Sequence, residues 1–237
     1  MIDTAELAAT EFLDHESDAV RAFTEKALST CSDEPRERAA ALYLAVRDGV
    51  RYEVYGADLS RTGLRASTVL AAKSGMCLHK SVLYAAALRA AGVPSKLVLT
   101  DVRNHLASDR LRELVGGDVF RFHCLTKVGL DGGWVTATPV FNKTLCRLYG
   151  ITPLDFDGTA DSVHHPYDLT GKRHMEFLHD HGEFADLPYQ LVIDGLRAAH
   201  PALFATADQF ADGSLVGDAI SPAISPATPP ATQECPR

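Results

Sequence analysis

Two side chains able to do nucleophilic chemistry stand out by their placement. Cys77 lies in Ser74-Gly75-Met76-Cys77-Leu78-His79-Lys80-Ser81, at the head of a segment, residues 77–91, rich in Ala and Leu and free of Gly and Pro. Such a composition favours helix. Leu78, Val82, Ala85 and Leu88 recur at three- and four-residue steps, marking an apolar face, and Gly92 with Pro94 supplies the stop. Cys77 therefore falls in the first turn, where free N–H groups and the positive end of the helix dipole favour a thiolate, the reactive form of cysteine. The plainer alternative is a small buried hydrophobe, which many free cysteines are.

A thiol nucleophile needs a base within hydrogen-bond reach and a third group to fix that base. His123 is the candidate base. It lies in a β-prone run, residues 119–130, followed by Asp131-Gly132-Gly133 and a second β-prone run from Trp134. This order reads as a hairpin with His123 on its first strand. His79 lies about 200° round the helix from Cys77 and cannot easily meet the thiol. Cys124 points to the opposite face of the strand from His123.

These blocks resemble the transglutaminase-like superfamily, papain-like Cys-His-Asp enzymes. The matching residues are Gly75-x-Cys77, Lys80-Ser81, Ala86-Ala87-Leu88-Arg89-Ala90-x-Gly92-Val93-Pro94, His123, Asp131-Gly132-Gly133, Trp134-Val135 and Pro139, with Ala39 to Tyr52 as a lead-in helix and strand. The resemblance covers residues 36–145, and from 146 to 190 it is to a bacterial stand-alone subgroup. It implies an α+β fold in which N-terminal helices and the Cys77 helix pack on a mostly antiparallel sheet. It also implies an acyl-thioester on Cys77, with His123 as proton carrier and no cofactor or metal. The family's usual aspartate stands just before the proline, where this chain has Thr138. Asn142 is the expected orienting residue, as a neutral amide, with Thr138 as runner-up.

The remaining sequence must position these groups. A single domain is expected over residues 1–200, with a core at 36–145 and an extension at 146–200. A peripheral segment follows at 201–220, and then a disordered tail at 221–237, rich in Pro, Ser, Ala and Thr. Residues 5–30 and 36–48 read as amphipathic helices, with a cap at Ser32-Asp33-Glu34. Residues 51–55 read as a short strand, 66–73 as a helical turn, 95–102 as a central strand and 108–115 as a helix. A net charge of −8 argues against nucleic acid and anionic membrane as partners. The absence of a signal-peptide pattern and of a long apolar run points to the cytoplasm. The five cysteines (Cys31, Cys77, Cys124, Cys146, Cys235) lack CxxC spacing, which fits a reduced compartment.

Other clusters carry weaker signals. Asp101, Asn104 and His105 are candidate substrate-binding residues at a strand's end, although such residues are also common in turns. Trp134 is a core anchor or a site wall. The run His174 to His181 has the wrong spacing for one helix face of metal ligands and reads as structural or solvated. The functions that remain are acyl transfer forming an amide bond in a small-molecule pathway, amide hydrolysis by a cysteine amidase or peptidase, and non-catalytic binding on the same fold. The expected partner is a small-molecule or peptide acyl substrate, free or on a carrier protein.

Overall fold

A computed structural model describes residues 4–163, 171, 175–204 and 213–220. A 3-10 turn at Thr4–Glu6 leads to α1 (Asp18–Leu28), capped by Ser17, whose Oγ accepts the Val20 N–H at 3.4 Å. Next comes α2 (Pro35–Gly49), begun by a proline at the position where a missing N–H costs nothing. Ser32 does not cap this helix from its N-cap position. Glu34 occupies that position without a side-chain cap, and the Ser32 hydroxyl instead receives the Glu34 N–H at 3.3 Å. Two-residue β1 (Arg51–Tyr52) pairs in parallel with β2 (Ser74–Gly75), and α3 (Ala66–Ala72) fills the crossover between them.

Helix α4 (Cys77–Ala90) is the centre of the molecule. Every residue from Cys77 to Arg89 is buried, not only the face marked by periodicity. Helices α1, α2 and α3 pack on one side of it, and the sheet packs on the other. Each of its fully buried leucines and valines contributes roughly 1.5–3 kcal/mol. Two buried basic side chains fasten the helix to its surroundings. Near its start, the Lys80 amine donates to the carbonyls of Arg47 (2.8 Å) and Val50 (2.6 Å) at the end of α2. Burial pushes that amine down to about 7, and a neutral amine keeps both bonds. Near the other end, Arg89 donates to the carbonyls of Ala8, Ser95 and Ala185.

The sheet has the order β5-β4-β3-β6, antiparallel throughout. Strand β3 (Ser95–Asn104) passes through α5 (Asp109–Val115) into β4 (Val119–Leu130). A tight turn with positive φ at Asp131 and Gly132 then leads to β5 (Gly133–Ala137), as two-residue hairpins require. The rest comprises α6 (Lys143–Tyr149), edge strand β6 (Met175–Phe184), α7 (Tyr189–Ala199), a second 3-10 turn at Pro201–Phe204, and α8 (Leu215–Ile220). The expected α+β architecture, with the Cys77 helix on an antiparallel sheet, is therefore present. Among the described residues no helix is long and apolar enough to cross a membrane.

Helix α7 meets β4 at one close approach. A Cβ on Gly195 would lie 2.0 Å from the Phe122 ring, whose stacked neighbour is the His181 ring at 4.3 Å. The ring has nowhere to retreat. Gly195→Ala gains up to about 1 kcal/mol in helix propensity but forces overpacking that costs roughly 1–3 kcal/mol. The expected outcome is a lower midpoint in urea unfolding; an unchanged or raised midpoint would contradict this packing.

Candidate active site

The start of α4 is set by the short parallel pair before it. Tyr52 is the register partner of Gly75, two residues before Cys77. A side chain at residue 75 would meet the His79 Cβ at 2.5 Å, so only glycine lets β2 run this close to the helix. His79 itself turns away and bonds through Nε2 to the Asp58 carbonyl at 3.0 Å.

The contact between α4 and β4 follows from where β5 stops. Strand β5 pairs with β4 only as far as Thr126, opposite Ala137. Beyond Thr126 that edge of β4 is taken by α4 instead of a strand. Ser81 Oγ donates to the Cys124 carbonyl at 2.8 Å, and Thr126 Oγ1 donates to the Ser81 carbonyl at 3.2 Å. The Cys124 N–H acts on the Cys77 sulfur, together with the N–H groups of Leu78 and Cys77 itself. The thiol thus lies against the peptide that adjoins His123.

A bulge completes the arrangement. Opposite Asp101, strand β4 carries an extra residue, and the ladder resumes with Thr100 facing His123 and Val102 facing Phe120. Phe122 has φ +56°, an uncommon conformation for a bulky residue. The fully buried Asp101 holds it there, its Oδ1 accepting the Phe122 N–H at 3.1 Å and the His181 Nε2–H at 2.7 Å while Arg121 pairs with Oδ2. Burial pushes the Asp101 carboxyl up, but the bonds from His181, Arg121 and Phe122 outweigh it and hold the group low. The extra residue changes which side chains share a face. Phe120 and His123, an odd number apart, would face opposite ways in a regular strand, yet both line the same cavity.

That cavity encloses about 560 Å³ counting its open mouth, and its walls include Tyr52, Val102, Phe120, Phe141 and Leu215 beside His123. A second cavity shares His123, Phe141, Ile151 and Met175 with the first and reaches Thr138 and Cys146. Cys77 is only 4% exposed and His123 6%. Burial, the dominant influence, pushes the Cys77 thiol up to about 11, and the N–H groups around the sulfur offset only part of it. The expected helix-start thiolate is therefore not the resting form, because desolvation outweighs the helix end. Burial first, and then the neighbouring Cys77, raises the Tyr52 phenol well above its usual range, so it stays protonated.

The other predicted residues fall in several places. The Asn142 carbonyl oxygen receives the Tyr52 N–H at 3.2 Å, and Thr138 Oγ1 is buried without a partner, so neither bonds to the His123 ring. Asn104 lines the first cavity while its Oδ1 accepts the Leu106 N–H at 3.0 Å. Asp101 is the bulge anchor, not an open substrate ligand. His105 stands 3.4 Å from Glu176 and lines neither cavity. Trp134 lines neither; it pairs with Gly129, and Lys96 sits 4.5 Å over its ring. His179 and His181 belong to β6, His174 lies outside the described residues, and among the described residues no three metal-binding side chains cluster. Tyr52 and Leu215 escaped sequence reading. In the sequence Tyr52 is marked only as the end of the lead-in strand, and nothing local marks Leu215.

A family model described as the transglutaminase-like superfamily matches residues 21–139, half of the chain, including Cys77 and His123. Among curated proteins there is no match. A solved structure of a candidate cysteine protease from Cytophaga hutchinsonii is 16% identical, with a TM-score of 0.42 over 73% of this chain and 46% of that one. A candidate protease from Parabacteroides distasonis is 19% identical, with a TM-score of 0.36 over 56% and 25%. The chain thus spans less than half the length of either.

Two outcomes are expected from this geometry. The rate of Cys77 alkylation by iodoacetamide should climb with pH towards about 11, because the thiol is raised and its thiolate is scarce at neutrality. Peptide mapping that shows a plateau near pH 7 would mean that a preformed thiolate exists. Thr138→Val removes a buried hydroxyl without a partner. It should stabilise the protein by roughly 1 kcal/mol in urea unfolding, since an orphaned polar group costs about that much.

Proposed function

From the premise that the chain belongs to the transglutaminase-like superfamily, we propose that it is a cysteine-dependent acyltransferase working through an acyl-thioester on Cys77. The observation that carries this reading is a thiol 4% exposed, met by the N–H of the peptide that adjoins His123, with the His123 side chain lining an apolar cavity. Water is scarce there, and scarcity of water favours an amine over hydrolysis as the acceptor of the acyl group.

The raised thiol fixes the order of events. Cys77 is neutral at rest, so His123 takes the Sγ proton as the sulfur attacks the acyl carbon. The carbonyl oxygen becomes an oxyanion, met by N–H groups at the start of α4, including that of Cys77. Collapse expels the leaving group, which takes the proton from His123, and leaves the acyl group on sulfur. An incoming amine then attacks and gives its proton to His123. As the amide departs, His123 returns that proton to the Cys77 sulfur, restoring the starting thiol. Thr138 stands in the aspartate's place, so no carboxylate reaches the imidazolium from that position. Asn142 is a positioning residue, holding the Tyr52 backbone at the cavity wall through the 3.2 Å bond. The catalytic domain spans residues 1–200, to which α8 adds one wall.

The test supplies a simple thioester with and without a primary amine and follows products and intact protein by mass spectrometry. An acyl adduct on the Cys77 peptide and an amide product are expected. Free acid alone, at the same rate with or without amine, would replace transfer by hydrolysis. His123→Ala should lower turnover by roughly 10²–10⁴-fold with the fold intact; an unchanged rate would remove His123 from the mechanism.

A further inference from the structure

The first cavity has a chemical character that bears on substrate. Among the described residues, none of those lining it is an acid, a lysine or an arginine. Its polar members are largely engaged. The Tyr149 hydroxyl donates to the Leu215 carbonyl at 3.0 Å, and Asn104 Oδ1 serves the Leu106 N–H. Among the described residues, the space is faced, beside His123, by the edge-on pair of Tyr52 and Phe141, with ring centroids 5.0 Å apart, and by the aliphatic walls Val102, Leu106, Ile151 and Leu215. A charged group placed here would lose its hydration, and among the described lining residues no acid, lysine or arginine offers a counter-charge, His123 being the reaction's own proton carrier.

The wall contributed by Leu215 is built, not incidental. The Glu53 carboxylate, itself buried, accepts the Leu215 N–H at 3.2 Å. Asp218 Oδ2 accepts hydroxyls from Tyr55 at 2.7 Å and Ser108 at 2.6 Å. A Cβ on Gly213 would meet the Tyr55 ring at 2.4 Å, so the chain entering α8 is pressed against that ring. Polar bonds from the loop after β1, the α5 cap and α6 thus hold one leucine over the cavity. The segment expected to be peripheral therefore shapes the site.

We propose that this cavity is the acyl pocket, that it selects an uncharged apolar acyl group, and that Leu215 sets the length of chain it takes. This rests on the acyl-transfer reading above. The selected class excludes acyl groups ending in a carboxylate or an ammonium. It favours chains long enough to fill the walls over the smallest ones.

The experiment measures the rate of Cys77 acylation, by intact-protein mass spectrometry, with acetyl, hexanoyl and succinyl thioesters of N-acetylcysteamine. The hexanoyl thioester should acylate at least roughly tenfold faster than the other two, the scale of discrimination an apolar pocket provides. Leu215→Trp should lower the hexanoyl rate roughly tenfold and the acetyl rate by less. Leu106→Trp, at a half-buried position on another wall, should do the same if Leu215→Trp disturbs α8. Succinyl transfer as fast as hexanoyl, or a preference that neither variant moves, would overturn the pocket assignment while leaving Cys77 acylation in place. Failure of every thioester to acylate Cys77 would instead overturn the acyl-transfer reading and the pocket assignment with it.

Discussion

The bond from Ser81 Oγ to the Cys124 carbonyl, 2.8 Å long and wholly buried, is the contact on which the site depends. It fastens a helix to the edge of a strand where another strand would ordinarily lie. Because Ser81 is one turn beyond Cys77, the same docking brings the Cys124 N–H to the sulfur. A buried backbone carbonyl left without its partner costs about as much as a lost hydrogen bond, so β5 must stop where α4 begins. The thiol, its neighbouring peptide and His123 are consequences of that one substitution of helix for strand.

Burial has opposite effects on chemistry and on architecture here. The burial that holds the thiol against the sheet also denies it its charge. A helix start alone would have favoured a thiolate, but desolvation prevails. An enzyme built this way relies on proton transfer at the moment of attack. In return, an intermediate formed at such a buried sulfur would be shielded from water, which the proposed transfer needs more than a preformed nucleophile.

Much of the frame was legible in the sequence. The α3 and α4 helices, strands β3 and β4, and the turn at Asp131-Gly132 followed from composition, stop residues and alternation, because each is specified by local rules. Strand β6 was not, since His179, Asp180, His181 and Gly182 give an edge strand no apolar alternation. Nor was the bulge at Phe122, which exists because a buried carboxylate on the neighbouring strand accepts its N–H. Leu215 was invisible for a related reason. Its role comes from Glu53, Tyr55, Ser108 and Tyr149, all distant in the chain. What the sequence hid was therefore long-range, and it is what turns a recognisable pair into a shaped pocket.

The bulge also constrains how this strand can change over evolutionary time. Phe120 and His123 share a face only because one extra residue lies between them and the regular ladder. Single substitutions along β4 leave that count intact and can retune the walls one side chain at a time. Loss of a single codon between Phe120 and His123 would close the ladder and leave the two side chains two residues apart, still on one face, but it would remove the positive-φ residue whose N–H Asp101 holds and whose ring stacks on His181. Along this stretch the length of the gene answers to the Asp101 anchor and the Phe122 ring, and its letters to the cavity.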